Sequence, residues 1–151
     1  MNNVNLLSFN VRGLRDHKKR QEIFYWLKNL QNGKLCIHLL QETHSIESDL
    51  DSWRKEWGAD IFLPHGDSRS RGIAFLLPEN KDYKILSFKN VIEGRIACLD
   101  ICIEGMVTSI INVYLPTKDK QADQTAAISK LETYLNNINP ETLILGGDFN
   151  L

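Results

Sequence analysis

Leu143-Ile144-Leu145-Gly146-Gly147-Asp148-Phe149-Asn150 passes from an apolar run through a glycine pair to a carboxylate and an amide two residues apart. Residues two apart in extended chain project to the same side, so Asp148 and Asn150 can face a hard cation and a phosphate oxygen together. Two other apolar runs end in the same manner. Asn5-Leu6-Leu7-Ser8-Phe9-Asn10 closes on an amide, and Leu35-Cys36-Ile37-His38-Leu39-Leu40-Gln41-Glu42 on an amide followed by a carboxylate. Three buried-strand patterns therefore deliver oxygen ligands at their C-terminal ends.

Around these runs the sequence alternates strands with helices and then turns to consecutive strands. Residues 4–10 read as a buried strand. Residues 18–30 read as a helix with Ile23, Trp26, Leu27 and Leu30 on one face, closed by Asn32-Gly33. Residues 35–41 form a second strand and 47–57 a second helix, with Leu50, Trp53 and Trp57 in one stripe and Gly58 at its end. Residues 60–63 and 72–77 read as strands bounded by Pro64 and Pro78. Residues 83–88, 95–103 and 106–114 follow as an antiparallel block, the last two joined by Glu104-Gly105 as a hairpin turn. A third helix is predicted over 120–138, with Ile128, Leu131, Leu135 and Ile138 on its buried face. Pro140 separates it from a final strand at 143–145. The pattern predicts an α/β layered domain with helices covering sheets.

The chain has 151 residues, 42% of them hydrophobic and 25% charged, which suits one globular domain and argues against disorder. No apolar run reaches the length of a transmembrane helix, and Met1-Asn2-Asn3-Val4 lacks the pattern of a signal peptide; the expected location is intracellular, with no membrane partner. Cys36, Cys98 and Cys102 each lie in an apolar run and read as reduced core thiols. The net charge of -1 does not advertise a nucleic-acid binder. Arg12, Arg15, Lys18, Lys19 and Arg20 nevertheless crowd the segment after Asn10, and Arg69 and Arg71 flank Ser70. Taken alone, both clusters read as ordinary solvated charge.

Each candidate also has an unremarkable reading. A lone Glu42 or Asp148 at a strand end is more often simply exposed, although a carboxylate is costly to bury there without a cation or donors and Gly146-Gly147 permits close backbone approach. Asn10 and Asn150 suit turns, and Tyr114 suits a core edge with a wet hydroxyl. His17, His38, His44 and His65 lack zinc-like spacing or a nucleophile partner. His38 reads as a satisfied interior residue, His44 and His65 as solvent-facing loop residues. The glycine pair does not match a P-loop or dinucleotide-binding motif.

Ser8-Phe9-Asn10-Val11-Arg12-Gly13-Leu14, Leu40-Gln41-Glu42-Thr43-His44, Ser70-Arg71-Gly72-Ile73-Ala74, Asn112-Val113-Tyr114-Leu115-Pro116-Thr117 and Gly146-Gly147-Asp148-Phe149-Asn150 occur in one order across the whole chain. Together they resemble the endonuclease/exonuclease/phosphatase superfamily, and in combination the apurinic-type endonuclease domain of LINE-class non-LTR retrotransposons. The resemblance implies a four-layer α/β/β/α sandwich. It also implies a Mg²⁺- or Mn²⁺-dependent phosphodiesterase that nicks DNA by in-line attack of water. By similarity Glu42 is the principal metal ligand, assisted by Asn10. Asp148 orients or deprotonates the water, Asn150 holds the scissile phosphate, Tyr114 donates to a phosphate oxygen, and Arg12 and Arg71 meet DNA backbone phosphates.

The departures carry expectations of their own. Arg12 replaces an acidic residue found in some relatives, which resembles the retrotransposon branch rather than abasic-site repair enzymes. In the family a further stretch follows Asp-Phe-Asn, completes the second sheet and supplies a Ser-Asp-His motif. This sequence carries none of it, so residues 1–151 read as the N-terminal portion of such a domain, weakly active or inactive alone. An unpaired sheet edge at 143–145 is expected to invite self-association. A remnant binding module without a reaction, and a phosphatase acting on small phosphate esters, are the alternatives. A nuclear location is implied by resemblance only.

Overall fold

The computed structural model describes residues 4–31, 34–79 and 81–151. Two four-stranded sheets carry the domain, with strand orders β1-β2-β4-β3 and β5-β6-β7-β8. The first contains β1 (Asn5–Asn10), β2 (Cys36–Gln41), β3 (Ile61–Phe62) and β4 (Ile73–Leu76). The second contains β5 (Lys84–Ile92), β6 (Ile96–Ile103), β7 (Met106–Tyr114) and β8 (Thr142–Asp148).

Two parallel pairings set the geometry of the site. β1 runs parallel to β2 with Asn10 beside Gln41, and β7 runs parallel to β8 with Tyr114 beside Asp148. A parallel pair needs a crossover, and the helices α1 (His17–Asn29) and α3 (Gln121–Asn136) supply them. The other strand pairings among the described residues are antiparallel. In the β6–β7 hairpin, Glu104 and Gly105 both take left-handed φ, +51° and +82°, as a type I′ turn requires.

Alternation of side chains along the strands separates four layers. Ile37 and Leu39 of β2, Phe75 of β4 and Ala97, Leu99 and Ile101 of β6 fill the space between the sheets. Leu40 and Leu76 turn outward to meet Phe24 and Leu27 of α1 and Trp53 and Trp57 of α2 (Leu50–Trp57). Ile96, Cys98, Ile111 and Val113 face the other way, against Ala127 and Leu131 of α3. The architecture is the expected α/β/β/α sandwich. One polar bridge crosses its centre: the fully buried Asn112 donates to the Leu40 and Ala74 carbonyls at 3.1 and 2.9 Å and accepts from Gln41 Nε2 at 2.9 Å.

Several boundaries and faces differ from the sequence reading. The buried face of α1 is Arg20, Phe24 and Leu27, while Trp26 and Leu30 are exposed; Trp26 instead stacks edge-on against Phe9 at 5.6 Å. Arg20 replaces them because tertiary partners satisfy its charge. Its guanidinium donates to both Glu56 carboxylate oxygens, at 2.6 and 2.9 Å, and to the Leu14 and Arg15 carbonyls. In α3, Ile128 is exposed and Ala127 takes the inward position beside Leu131. Trp53 and Trp57 are buried as read, and Gly58 ends α2 at φ +82°. The residues read as closing α1, Asn32 and Gly33, lie outside the described residues.

The strand read at 143–145 extends from Thr142 through the glycine pair to Asp148. Glycine permits this extension, because a Cβ on Gly147 would strike the Val113 carbonyl of the paired strand. β8 is an edge strand of its sheet, with Leu143 and Leu145 exposed.

Candidate active site

The C-terminal ends of β1, β2, β7 and β8 bring Asn10, Glu42, Tyr114 and Asp148 together from both sheets. Asn10 stands between the carboxylates: its Nδ2 donates to Glu42 Oε1 at 2.8 Å and to Asp148 Oδ2 at 2.9 Å. Tyr114 donates its hydroxyl to the same Glu42 oxygen at 3.1 Å. Burial first, and then the Glu42 charge, push the Tyr114 phenol up to about 12, so at neutral pH it is a donor. Asp148 Oδ1 accepts the Asn150 backbone N–H at 3.1 Å, and Asn150 Nδ2 donates to the Leu115 carbonyl at 2.7 Å. That bond fixes the amide and leaves its second N–H for a ligand.

Two half-buried carboxylates held by a neutral amide lack a compensating charge. Among the described residues no Lys or Arg forms an ion pair with Glu42 or Asp148; His44 Nε2 lies 3.8 Å from Glu42 Oε2. The donor set fits a hard divalent cation. Among the described residues no three His, Cys, Asp or Glu side chains converge closely enough to form a closed metal cage. A cation here would keep much of its water, as Mg²⁺ does.

The backbone around the site is left-handed at Arg12 (φ +50°), Glu42 (+56°), His44 (+56°), Arg71 (+60°) and Asn150 (+47°). Non-glycine residues seldom adopt this region, and they concentrate where surrounding structure over-determines them. Interlocking loops do so here. Gly13 and Leu14 donate to the Glu42 and Thr43 carbonyls at 2.6 and 2.9 Å; Thr43 and His44 donate to the Gly72 and Arg71 carbonyls at 3.0 and 2.9 Å. Gly72 (φ +87°) passes so close to Thr43 that a Cβ would strike its hydroxyl.

The basic cluster after Asn10 is partly committed to the fold. Lys19 Nζ caps the Val11 and Arg12 carbonyls at 2.7 and 3.0 Å, and Arg20 is buried. Arg12 is exposed at the rim. Arg71 lines a cleft of about 520 Å³ with Arg95, Tyr114, Thr117, Lys120 and Lys130. Arg95 and Lys120 were not singled out in the sequence. Arg95 lies 5.3 Å from the Tyr114 ring centre, a placement that only the pairing of β6 with β7 creates.

Three histidine readings require correction. His44 is not a solvent-facing loop residue: its side chain is 21% exposed and turned toward Glu42. His38 is interior, but its Nε2 has no hydrogen-bond partner among the described residues. Burial lowers its pKa to about 4, keeping it neutral. His65 is half-buried, with Nδ1 3.1 Å from Ser45 Oγ.

The layering defines a class: the chain has the endonuclease/exonuclease/phosphatase fold. It superposes on TDP2 from Caenorhabditis elegans with a TM-score of 0.73 at 21% identity, covering 98% of this chain and 47% of that one. TDP2 from D. rerio, crystallised with a single-strand DNA product, gives 0.71 at 16% identity over 96% of this chain and 60% of that one. An AP endonuclease from Archaeoglobus fulgidus gives 0.67 at 20% identity over 96% and 57%. In sequence, the chain is 30% identical over 148 residues to a transposon TX1 uncharacterized 149 kDa protein of Xenopus laevis. That match spans 97% of this chain and 11% of the Xenopus protein. No family model matches the chain.

Proposed function

We propose that the domain is a divalent-metal-dependent phosphodiesterase that nicks DNA, of the kind carried by non-LTR retrotransposons. The carrying observation is the meeting of Asn10, Glu42, Tyr114 and Asp148 at the ends of four strands, with carboxylates that no Lys or Arg neutralises among the described residues. Glu42 would hold the cation with the help of Asn10. A bound Mg²⁺ or Mn²⁺ would neutralise phosphate charge and polarise the bond to be cut. Asp148 faces the same space with its carboxylate anchored by Asn10 and by the Asn150 amide, a placement suited to orienting water and accepting its proton. The second N–H of Asn150, held in place beforehand, would donate to the scissile phosphate, and the Tyr114 hydroxyl would turn from Glu42 to donate to it once phosphate arrives. Arg71 and the adjoining cleft, with Arg12 at the rim, would receive backbone phosphates.

A mobile-element nuclease of this kind would act on chromosomal DNA, and hence in the nucleus. Nicking of supercoiled plasmid in Mg²⁺, compared for the wild type and Glu42→Ala, tests this reading. Glu42-dependent nicking is expected. Cleavage unaffected by Glu42→Ala would refute the site, and faster hydrolysis of small phosphate esters than of plasmid would favour a phosphatase.

A further inference from the structure

We infer that His44 is a nitrogen ligand of the site, making it selective for first-row transition ions such as Mn²⁺ over Mg²⁺. The inference rests on the reading of Glu42 as the cation-holding carboxylate and assigns the position opposite it. Glu42 Oε1 is committed to Asn10 and Tyr114, at 2.8 and 3.1 Å. Its second oxygen has a different neighbour, His44 Nε2 at 3.8 Å. Carboxylate oxygen and imidazole nitrogen thus face each other as an O,N pair. Two donors about 2.1 Å from one octahedral ion stand about 3.0 Å apart at a right angle, so a side-chain movement of under about 1 Å closes the gap.

The histidine is held for this orientation. Its ring is mostly buried, and its other nitrogen turns toward Gly13, where a Cβ would come within 3.0 Å of Nδ1. Glu42 and His44 share the left-handed φ of +56°, an uncommon conformation for either residue, and the His44 N–H is bonded to the Arg71 carbonyl at 2.9 Å. Imidazole favours transition ions, whereas Mg²⁺ favours oxygen and retained water. Placed opposite the Glu42 oxygen that accepts from neither Asn10 nor Tyr114, a ring nitrogen therefore shifts the choice of ion more than it shifts overall affinity.

The test is Mn²⁺ binding followed by electron paramagnetic resonance, with Mg²⁺ as competitor, for the wild type, His44→Asn and Glu42→Ala. Asparagine tolerates the left-handed backbone and removes the ring nitrogen, and circular dichroism confirms that each variant is folded. Nitrogen modulation in the pulsed spectrum of the wild type is expected, and is lost in His44→Asn. The Mn²⁺-over-Mg²⁺ preference is expected to fall about tenfold or more in that variant, since removing even a residue that only supports a ligand costs on that scale, with Mg²⁺ affinity little changed. Glu42-dependent Mn²⁺ binding with no nitrogen modulation and an unchanged preference would overturn the assignment of His44 while leaving the metal site standing. Absence of Mn²⁺ binding, or binding that survives Glu42→Ala, would overturn both.

Discussion

Asn112→Ala should be among the most damaging single substitutions in the domain, although Asn112 touches no candidate ligand. Its side chain is fully buried between the sheets and makes three hydrogen bonds, to the Leu40 and Ala74 carbonyls and from Gln41 Nε2. Each such bond contributes about 1 kcal/mol net, and buried groups left without partners add to the loss. The expected destabilisation is therefore about 3 kcal/mol, a large part of the ~5–15 kcal/mol that holds a domain folded. With a urea slope of about 2 kcal/mol/M, the midpoint should fall by about 1.5 M. A double-mutant cycle with Gln41→Ala isolates the pairwise part, and a coupling of about 1 kcal/mol is expected. A loss below about 1 kcal/mol with no coupling would refute the claim that this bridge fastens one sheet to the other.

Stability should also depend on pH through His38, whose pKa burial lowers from 6.5 to about 4. Between those values the unfolded chain binds more protons than the folded one, so stability rises with pH and levels off above about 6.5. Between pH 5 and pH 7 the wild type should gain about 2 kcal/mol more than His38→Leu; parallel urea-melt curves would contradict this. Gly147→Ala should prevent folding, since its Cβ would strike Val113, and native-like circular dichroism of that variant would disprove the tight β7–β8 approach. Wild-type chain should self-associate through β8, where Leu143 and Leu145 are exposed. The pair Leu143→Lys and Leu145→Lys should leave a monomer, and identical light-scattering masses would count against edge pairing.

The strand ends were the most legible part of the sequence, because an apolar run closing on Asn10, on Glu42 or on Asp148 is a local pattern. The layering followed from alternation, which depends only on position along a strand. The helix faces were less legible. In α1 a stripe through Trp26 and Leu30 and one through Arg20, Phe24 and Leu27 both obey helical spacing, and the choice was made by Glu56, 36 residues from Arg20. His44 looked solvent-facing because nothing local reports the left-handed turn that swings it toward Glu42. Arg95 entered the cleft through pairing with a strand not yet made. Burial of a charge, orientation of a loop ring and membership of a cleft all depend on long-range partners, to which a period of 2 or 3.6 is blind.

The first sheet is built from residues 5–76 and the second from residues 84–148. Asn10 and Glu42 come from one, Tyr114 and Asp148 from the other. The halves are thus separable along the chain but chemically incomplete. Severed between β4 and β5, the polypeptide would become a two-component reporter in which cation capture at the proposed site registers reassembly of the fragments. Any change that loosens the docking of one half on the other would register as weaker ion uptake well before secondary structure is lost.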